Sequence, residues 1–237
     1  MTFSIIARDE LTGRIGMAVA SKFFAVGARA LFIKSGVGGI VSQALFNPYY
    51  GPRGLALLAA GASASDAVRL LTVTDDGRER RQLLVLDRDG RLAAHTGSQC
   101  PSWSGHILRE TYAVAGNILA SADVLDAMID TYDANFAMPF ARRLIAAMQA
   151  GDASGGDARG RQSAALLVHD EEDYSLLDLR VDDHTDPLTE LARLEAIARS
   201  SWVHFRRVIP NAQNPHGVLD TAELDARIAT SKAEDYE

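Results

Sequence analysis

The chain has 237 residues, 47% hydrophobic and 23% charged, which is the make-up of an ordinary globular protein long enough to bury one sizeable core. Thirty-one acidic against 24 basic residues give a net charge of −7, the wrong sign for a phosphate backbone, and the densest basic run (Arg78, Arg80, Arg81) is broken by Glu79, so nucleic acid is not an expected partner. The lone cysteine, Cys100, excludes an intrachain disulfide, the start carries no basic leader, and no apolar run approaches the ~20 residues of a membrane span, so a cytoplasmic protein without membrane contact is expected.

Residues 2–8 are an apolar run, 9–13 a turn signal ending in Gly13, and 14–21 a second run with Ile15, Met17 and Val19 at period two. They predict a hairpin at the N-terminus. Residues 30–35 and 36–44, rich in Ile, Val and Gly, predict two further strands, so four strands precede any helix. Pro52 suits a first helical turn, and 54–60 and 63–73 read as two short helices, the second capped by Ser63 or Ser65. Strands resume at 81–87, 91–96 and 111–116, the first two joined by the turn Asp87-Arg88-Asp89-Gly90. Residues 121–132 place Val124, Leu125, Met128 and Ile129 on one helical face, and 139–150 do the same with Phe140, Leu144, Ile145 and Met148. A Gly-rich loop over 151–160 leads to strands at 162–169 and 174–181 and a helix over 187–200, and residues 201–237 form an appendage to a main domain over 1–200. Elements come in blocks and hairpins dominate, which argues for an α+β protein with antiparallel sheets covered by helices.

Few motifs carry chemistry by themselves. The run Gly155-Gly156-Asp157-Ala158-Arg159-Gly160-Arg161 resembles a phosphate loop, but Arg161 and Gln162 stand where lysine and Ser/Thr belong, and a strand follows where a helix should. The six histidines lack metal-binding spacing, and Asp182-Asp183-His184 sits on a strand end with its side chains diverging, so neither metal nor cofactor is expected. His95 and Cys100 are five residues apart, close enough to pair as imidazole and thiolate across a loop. Thr2 depends on position: once Met1 is removed, one residue carries a hydroxyl nucleophile and an α-amine of reference pKa about 7.7–8.0 to act as its base.

The stretch Thr2-Phe3-Ser4-Ile5-Ile6-Ala7-Arg8-Asp9, then Gly16-Met17-Ala18-Val19-Ala20-Ser21-Lys22-Phe23-Phe24, Gly36-Val37-Gly38-Gly39, Ser42-Gln43-Ala44, Asn47-Pro48, His95-Thr96-Gly97, Gly116-Asn117, Gly155-Gly156-Asp157, Gly160-Arg161-Gln162-Ser163 and Asp182-Asp183-His184, resembles the bacterial and archaeal domain of unknown function 1028 family over about residues 2–195. That family in turn resembles the N-terminal-nucleophile (Ntn) hydrolases. The resemblance implies a four-layer αββα sandwich and hydrolysis of an amide in a small molecule or peptide, with Thr2 as nucleophile. It also implies that Ser21 and Lys34, at the ends of the second and third strands, tune acid and base, and that Ser42, Gln43, Asn47, His95, Asn117 and Gln162 are substrate contacts. A non-catalytic small-molecule-binding or regulatory protein on the same fold is the alternative, and sheet edges and faces left to bury suit a homo-oligomer.

Overall fold

The computed structural model describes residues 2–233, so Met1 and its removal lie outside the described residues. In chain order its strands are β1 (Thr2–Arg8), β2 (Ile15–Ser21), β3 (Leu31–Lys34), β4 (Gly38–Ala44), β5 (Arg81–Asp87), β6 (Leu92–Thr96), β7 (Trp103–Leu108), β8 (Tyr112–Leu119), β9 (Ser163–His169) and β10 (Leu177–Val181). Its helices are α1 (Gly27–Ala30), α2 (Tyr50–Ala59), α3 (Ala64–Val73), α4 (Asp123–Ala134), α5 (Phe140–Ala153), α6 (Pro187–Ser200), α7 (Trp202–Phe205) and α8 (Thr221–Ala233).

β1 is buried from Thr2 to Ala7, so it cannot be an edge, and it pairs antiparallel with β2 on one side and β8 on the other. The full orders are β10-β9-β2-β1-β8-β7 and β3-β4-β5-β6, with antiparallel neighbours throughout. The period of two then sorts side chains between faces. Ile6, Met17, Val19, Ala113 and Ala115 of the larger sheet share one apolar cluster with Val41, Leu84 and Leu86 of the smaller, which fixes the faces that meet. On the outer face of the smaller sheet, Ile40, Leu83, Val85 and Ala93 pack with Leu58 of α2 and Ala67 and Leu71 of α3. α5 lies against β1, β2 and β9, and α4 against β8. Gly16 is what lets α5 approach, because a Cβ there would stand 2.6 Å from both Leu144 and Phe140.

Local signals explain the boundaries. Ser63 caps α3, its hydroxyl accepting from the Asp66 N–H at 3.1 Å. The β5–β6 turn is tied by Asp87, whose Oδ1 accepts from the N–H groups of Asp89 and Arg91, while Gly90 supplies the φ of +84° that the turn needs. Three expectations need correction. The short helix α1 interrupts the four leading strands, α2 starts at Tyr50 and not at residue 54, with Pro52 in its first turn as expected, and β7 is a strand with no forecast. β7 is an edge strand whose side chains alternate between exposed and half-buried, so it lacks the apolar run that marks the others.

The chain divides into two compact units after Leu191, inside α6, whereas the sequence placed the boundary after residue 200. Within the second unit, His204 Nδ1 is hydrogen-bonded to the Ser231 hydroxyl of α8 at 2.9 Å. No helix among the described residues is long and apolar enough to cross a membrane.

Candidate active site

At one end of the facing sheets the apolar pattern gives way to amides and hydroxyls. Register places Ser163 of β9 opposite Ser21 of β2, Ser21 opposite Thr2 of β1, and Thr2 opposite Asn117 of β8. Thr2 shares its face with Ile6, four residues along, so the whole row points at the smaller sheet, where Gln43, Gln82 and Thr96 form a matching row across β4, β5 and β6.

The two rows are bonded to one another. Thr2 Oγ1 lies 3.1 Å from Ser21 Oγ. Asn117 Nδ2 donates to Gln82 Oε1 at 2.9 Å and, at 3.4 Å, to the Thr2 carbonyl. Gln82 Oε1 also accepts from Gln43 Nε2 at 2.6 Å, and Gln82 Nε2 has Thr96 Oγ1, the Gly105 carbonyl and the Gly116 carbonyl within 3.0 Å. All of these side chains except Thr96 are buried, with Thr2 7% and Gln43 3% exposed. Gln43 Oε1 has no hydrogen-bond partner and is shielded from solvent. Reversing that amide would set oxygen against oxygen at Gln82, so the orientation stands.

A cleft of about 210 Å³ opens on this corner, lined by Thr2, Ser21, Phe23, Val26, Arg29, Ala30, Ser42, Gln43, Ala44, Leu45, Phe46 and Arg159. The Gly-rich loop is fastened beside it. Asp157, 7% exposed, accepts from the Lys22 N–H at 2.7 Å and binds the Arg159 guanidinium at 3.3 Å, while the Gln162 N–H donates to the Ser21 carbonyl at 3.1 Å. Ser163 secures the segment after β2, donating to the Phe23 carbonyl and accepting from the Val26 N–H. Three of the four non-glycine residues with positive φ among the described residues adjoin this corner: Ala44 lines the cleft, Ala25 precedes Val26, and Ile118 follows Asn117. Each such residue costs on the order of 1–3 kcal/mol, which persists only where the surroundings enforce it and is commonest at functional sites.

The sequence-derived candidates separate into two sets. Thr2, Ser21, Gln43 and Asn117 meet in the network, and Ser42 lines the cleft while its hydroxyl donates to the Asn47 carbonyl. Lys34 is not among them: it is exposed, ends β3 and pairs with Gly38, at the far end of β4 from Gln43. The strand direction explains the miss. With Leu31 opposite Val41, the position level with Gln43 is Arg29, in the helix before β3, and Arg29 is one of the two cations lining the cleft. Asn47 belongs to a different cluster, donating to Asp75, which also accepts from Arg81, Tyr50 and the Gly77 N–H. The Arg81 guanidinium holds the Asp75 carboxyl well below the usual carboxylate range. His95 donates to the Arg78 carbonyl, and the Gln162 side chain turns to Asp183.

The thiol reading loses its partner. Cys100 donates to the Arg81 carbonyl, His95 is engaged elsewhere, and burial pushes the thiol pKa up, the opposite of what an activated thiolate needs. The Asp182 carbonyl accepts from the Ala25 N–H, the His184 N–H donates to the Gln162 carbonyl while its Nδ1 accepts from the Asp186 N–H, and no group of three or more His, Cys, Asp or Glu among the described residues could hold a metal ion. Sequence reasoning passed over Gln82, Arg29, Asp157 and Arg159. Gln82 did leave a signal, as the one polar residue at the head of the run Leu83-Leu84-Val85-Leu86.

Comparison with known proteins gives the chain a family. A crystal structure of protein SPO2555 from Silicibacter pomeroyi, of the DUF1028 family, is 33% identical and superposes with a TM-score of 0.85, covering 92% of this chain and 99% of that one. Two Anbu structures, a Gly-1 mutant from Hyphomicrobium sp. strain MC1 and the ancestral beta-subunit from Yersinia bercovieri, are each 12% identical and align over 84% and 83% of this chain and 94% of theirs. Their TM-scores of 0.42 and 0.40 are too low to bear on function. No curated protein matches the sequence. The profile of a family of unknown function, DUF1028, matches residues 2–191, and the chain belongs to that family.

Proposed function

We propose that the chain is an N-terminal-nucleophile amidohydrolase on a four-layer αββα sandwich, cleaving an amide bond in a small molecule or peptide with Thr2 as nucleophile once Met1 has been removed. The observation that carries this reading is the Thr2 hydroxyl, 3.1 Å from the Ser21 hydroxyl at the wall of a cleft. Removal of Met1 gives Thr2 a free α-amine with a reference pKa of about 7.7–8.0, poised to act as a base near neutral pH. Thr2 Oγ1 attacks the amide carbonyl carbon, and its proton passes to the α-amine and on to the departing nitrogen as the C–N bond breaks. Water, deprotonated by the same amine, then attacks the Thr2 ester and releases the acid. Ser21 supports the hydroxyl through their shared hydrogen bond. The attacked carbonyl becomes an oxyanion, which needs preorganised hydrogen-bond donors beside Thr2.

The intact mass of protein expressed without an N-terminal tag, followed by an amide-hydrolysis panel on wild type, Thr2→Ala and Thr2→Ser, tests the reading. Loss of Met1, hydrolysis absent in Thr2→Ala and partly retained in Thr2→Ser are expected. Retained Met1 with no Thr2-dependent hydrolysis overturns the proposal in favour of the non-catalytic binding protein.

A further inference from the structure

The charged residues lining the Thr2 cleft are both arginines, Arg29 and Arg159, and no carboxylate is among its lining side chains. Asp157, itself buried, engages Arg159 and thereby aims it. Arg29 differs, because its guanidinium has no hydrogen-bond or ion-pair partner among the described residues. Arg29 is exposed at the cleft wall, so its fork is hydrated and open to a carboxylate, which it can bind bidentately.

The cleft also has an unmet demand of opposite sense. Gln43 Oε1, on a residue only 3% exposed, is a buried acceptor without a donor, a state that ordinarily costs free energy until an N–H reaches it. Phe23 and Phe46 meet edge to face with ring centroids 6.3 Å apart and add an apolar wall. At about 210 Å³ the space falls below the roughly 300–1,000 Å³ typical of drug-sized ligands.

From these features we infer that the cleft selects a small amide bearing its own carboxylate, of the N-acyl amino acid type. Its carboxylate lies on Arg29 and Arg159 and its apolar group against Phe23 and Phe46, and a turn of the cleft-lining Gln43 side chain brings the buried Oε1 to its amide N–H. The inference rests on the hydrolase reading only for what happens to the amide; the selection is a property of the cleft. The same chemistry is presented by a free N-acyl amino acid and by the C-terminus of a peptide.

Calorimetric titration separates the two claims, because it can be run on Thr2→Ala protein that turns nothing over. The probes are N-acetylphenylalanine, its neutral amide N-acetylphenylalaninamide, and a tripeptide ending in phenylalanine. The free acid should bind at least about tenfold more tightly than the neutral amide. Arg29→Ala should collapse that preference and Arg29→Lys retain part of it, with unfolding midpoints close to the parent since Arg29 is exposed. The tripeptide matching the free acid would identify peptide ends as occupants, and weaker tripeptide binding a small molecule. Equal affinity for acid and amide, a preference indifferent to Arg29, or binding of no probe at millimolar concentration overturns the inference. Arg29-dependent binding of the acid without Thr2-dependent hydrolysis in the wild type leaves the inference standing and removes the hydrolase reading.

Discussion

Replacing Gln82 with Met tests whether the polar layer between the sheets holds this end of the protein together. The substitution nearly conserves volume and leaves the surrounding apolar packing intact, so what it removes is hydrogen bonding. Gln82 Oε1 accepts from Gln43 Nε2 at 2.6 Å and from Asn117 Nδ2 at 2.9 Å. Without it Gln43 Nε2 loses its partner, and Asn117 Nδ2 keeps only the 3.4 Å bond to the Thr2 carbonyl. One buried donor orphaned, with a second left on its long bond, predicts a loss of about 1–3 kcal/mol. For a chain of this size that is a fall in Tm of about 2–12 °C. Urea unfolding followed by circular dichroism should show a lower midpoint at an unchanged m-value. A loss under about 1 kcal/mol would refute the reasoning, because it would mean that the amides re-pair or that water enters the layer.

Other outcomes follow from the same geometry. Asp75 has its folded-state pKa depressed by Arg81, so its contribution to stability is complete above the unfolded carboxyl value of about 3.9 and is lost as pH falls through the folded value. Asp75→Asn, which strands a mostly buried Arg81, should cost about 3 kcal/mol at pH 7, and the gap to wild type should narrow in acid melts below pH 3. Gly36→Ala meets nothing within 4 Å and should cost only the left-handed backbone, about 1–2 kcal/mol, by urea midpoint. Gly38→Ala sets a Cβ 2.2 Å from the Leu86 carbonyl oxygen of the neighbouring strand and should cost more than twice as much. The Cys100 thiol, buried and with its pKa raised, should react with a disulfide reagent only after unfolding; fast labelling of native protein would revive the thiol reading.

The fold was legible wherever an element is buried on a regular period. β1 and β2 showed as apolar runs on either side of a glycine turn, and α4 and α5 as apolar faces at helical spacing, because those patterns are what packing against another layer demands. β7 had no such signature, being an edge strand that buries little. α1 was hidden for another reason: its four residues form a single turn whose existence depends on tertiary anchors such as the bond from the Ala25 N–H to the Asp182 carbonyl.

The site was legible to the extent that it lies on paired strands. Thr2, Ser21 and Asn117 are neighbours because register makes them so, and register follows from the hydrophobic alternation already visible in the sequence. The smaller sheet's share required knowing which residues of β4 and β5 face inward, and that depends on how the two sheets stack. Lys34 shows the cost of lacking that knowledge: a cation near the third strand was sought at the strand's end, whereas antiparallel pairing brings the strand's beginning to the cleft, where Arg29 stands. Arg159 was further out of reach. Its place is set by Asp157, whose one carboxylate holds the Lys22 backbone, 135 residues away, and the Arg159 guanidinium together. The Gly-rich loop is thus fastened in part through one buried anion, beside the Arg161–Asp152 ion pair and the bond from the Gln162 N–H to the Ser21 carbonyl. Asp157→Asn, which keeps the shape but loses the charge, should release Arg159 and weaken acid-probe binding while sparing the neutral amide; equal losses for both probes would show that the loop shapes the cleft without charging it.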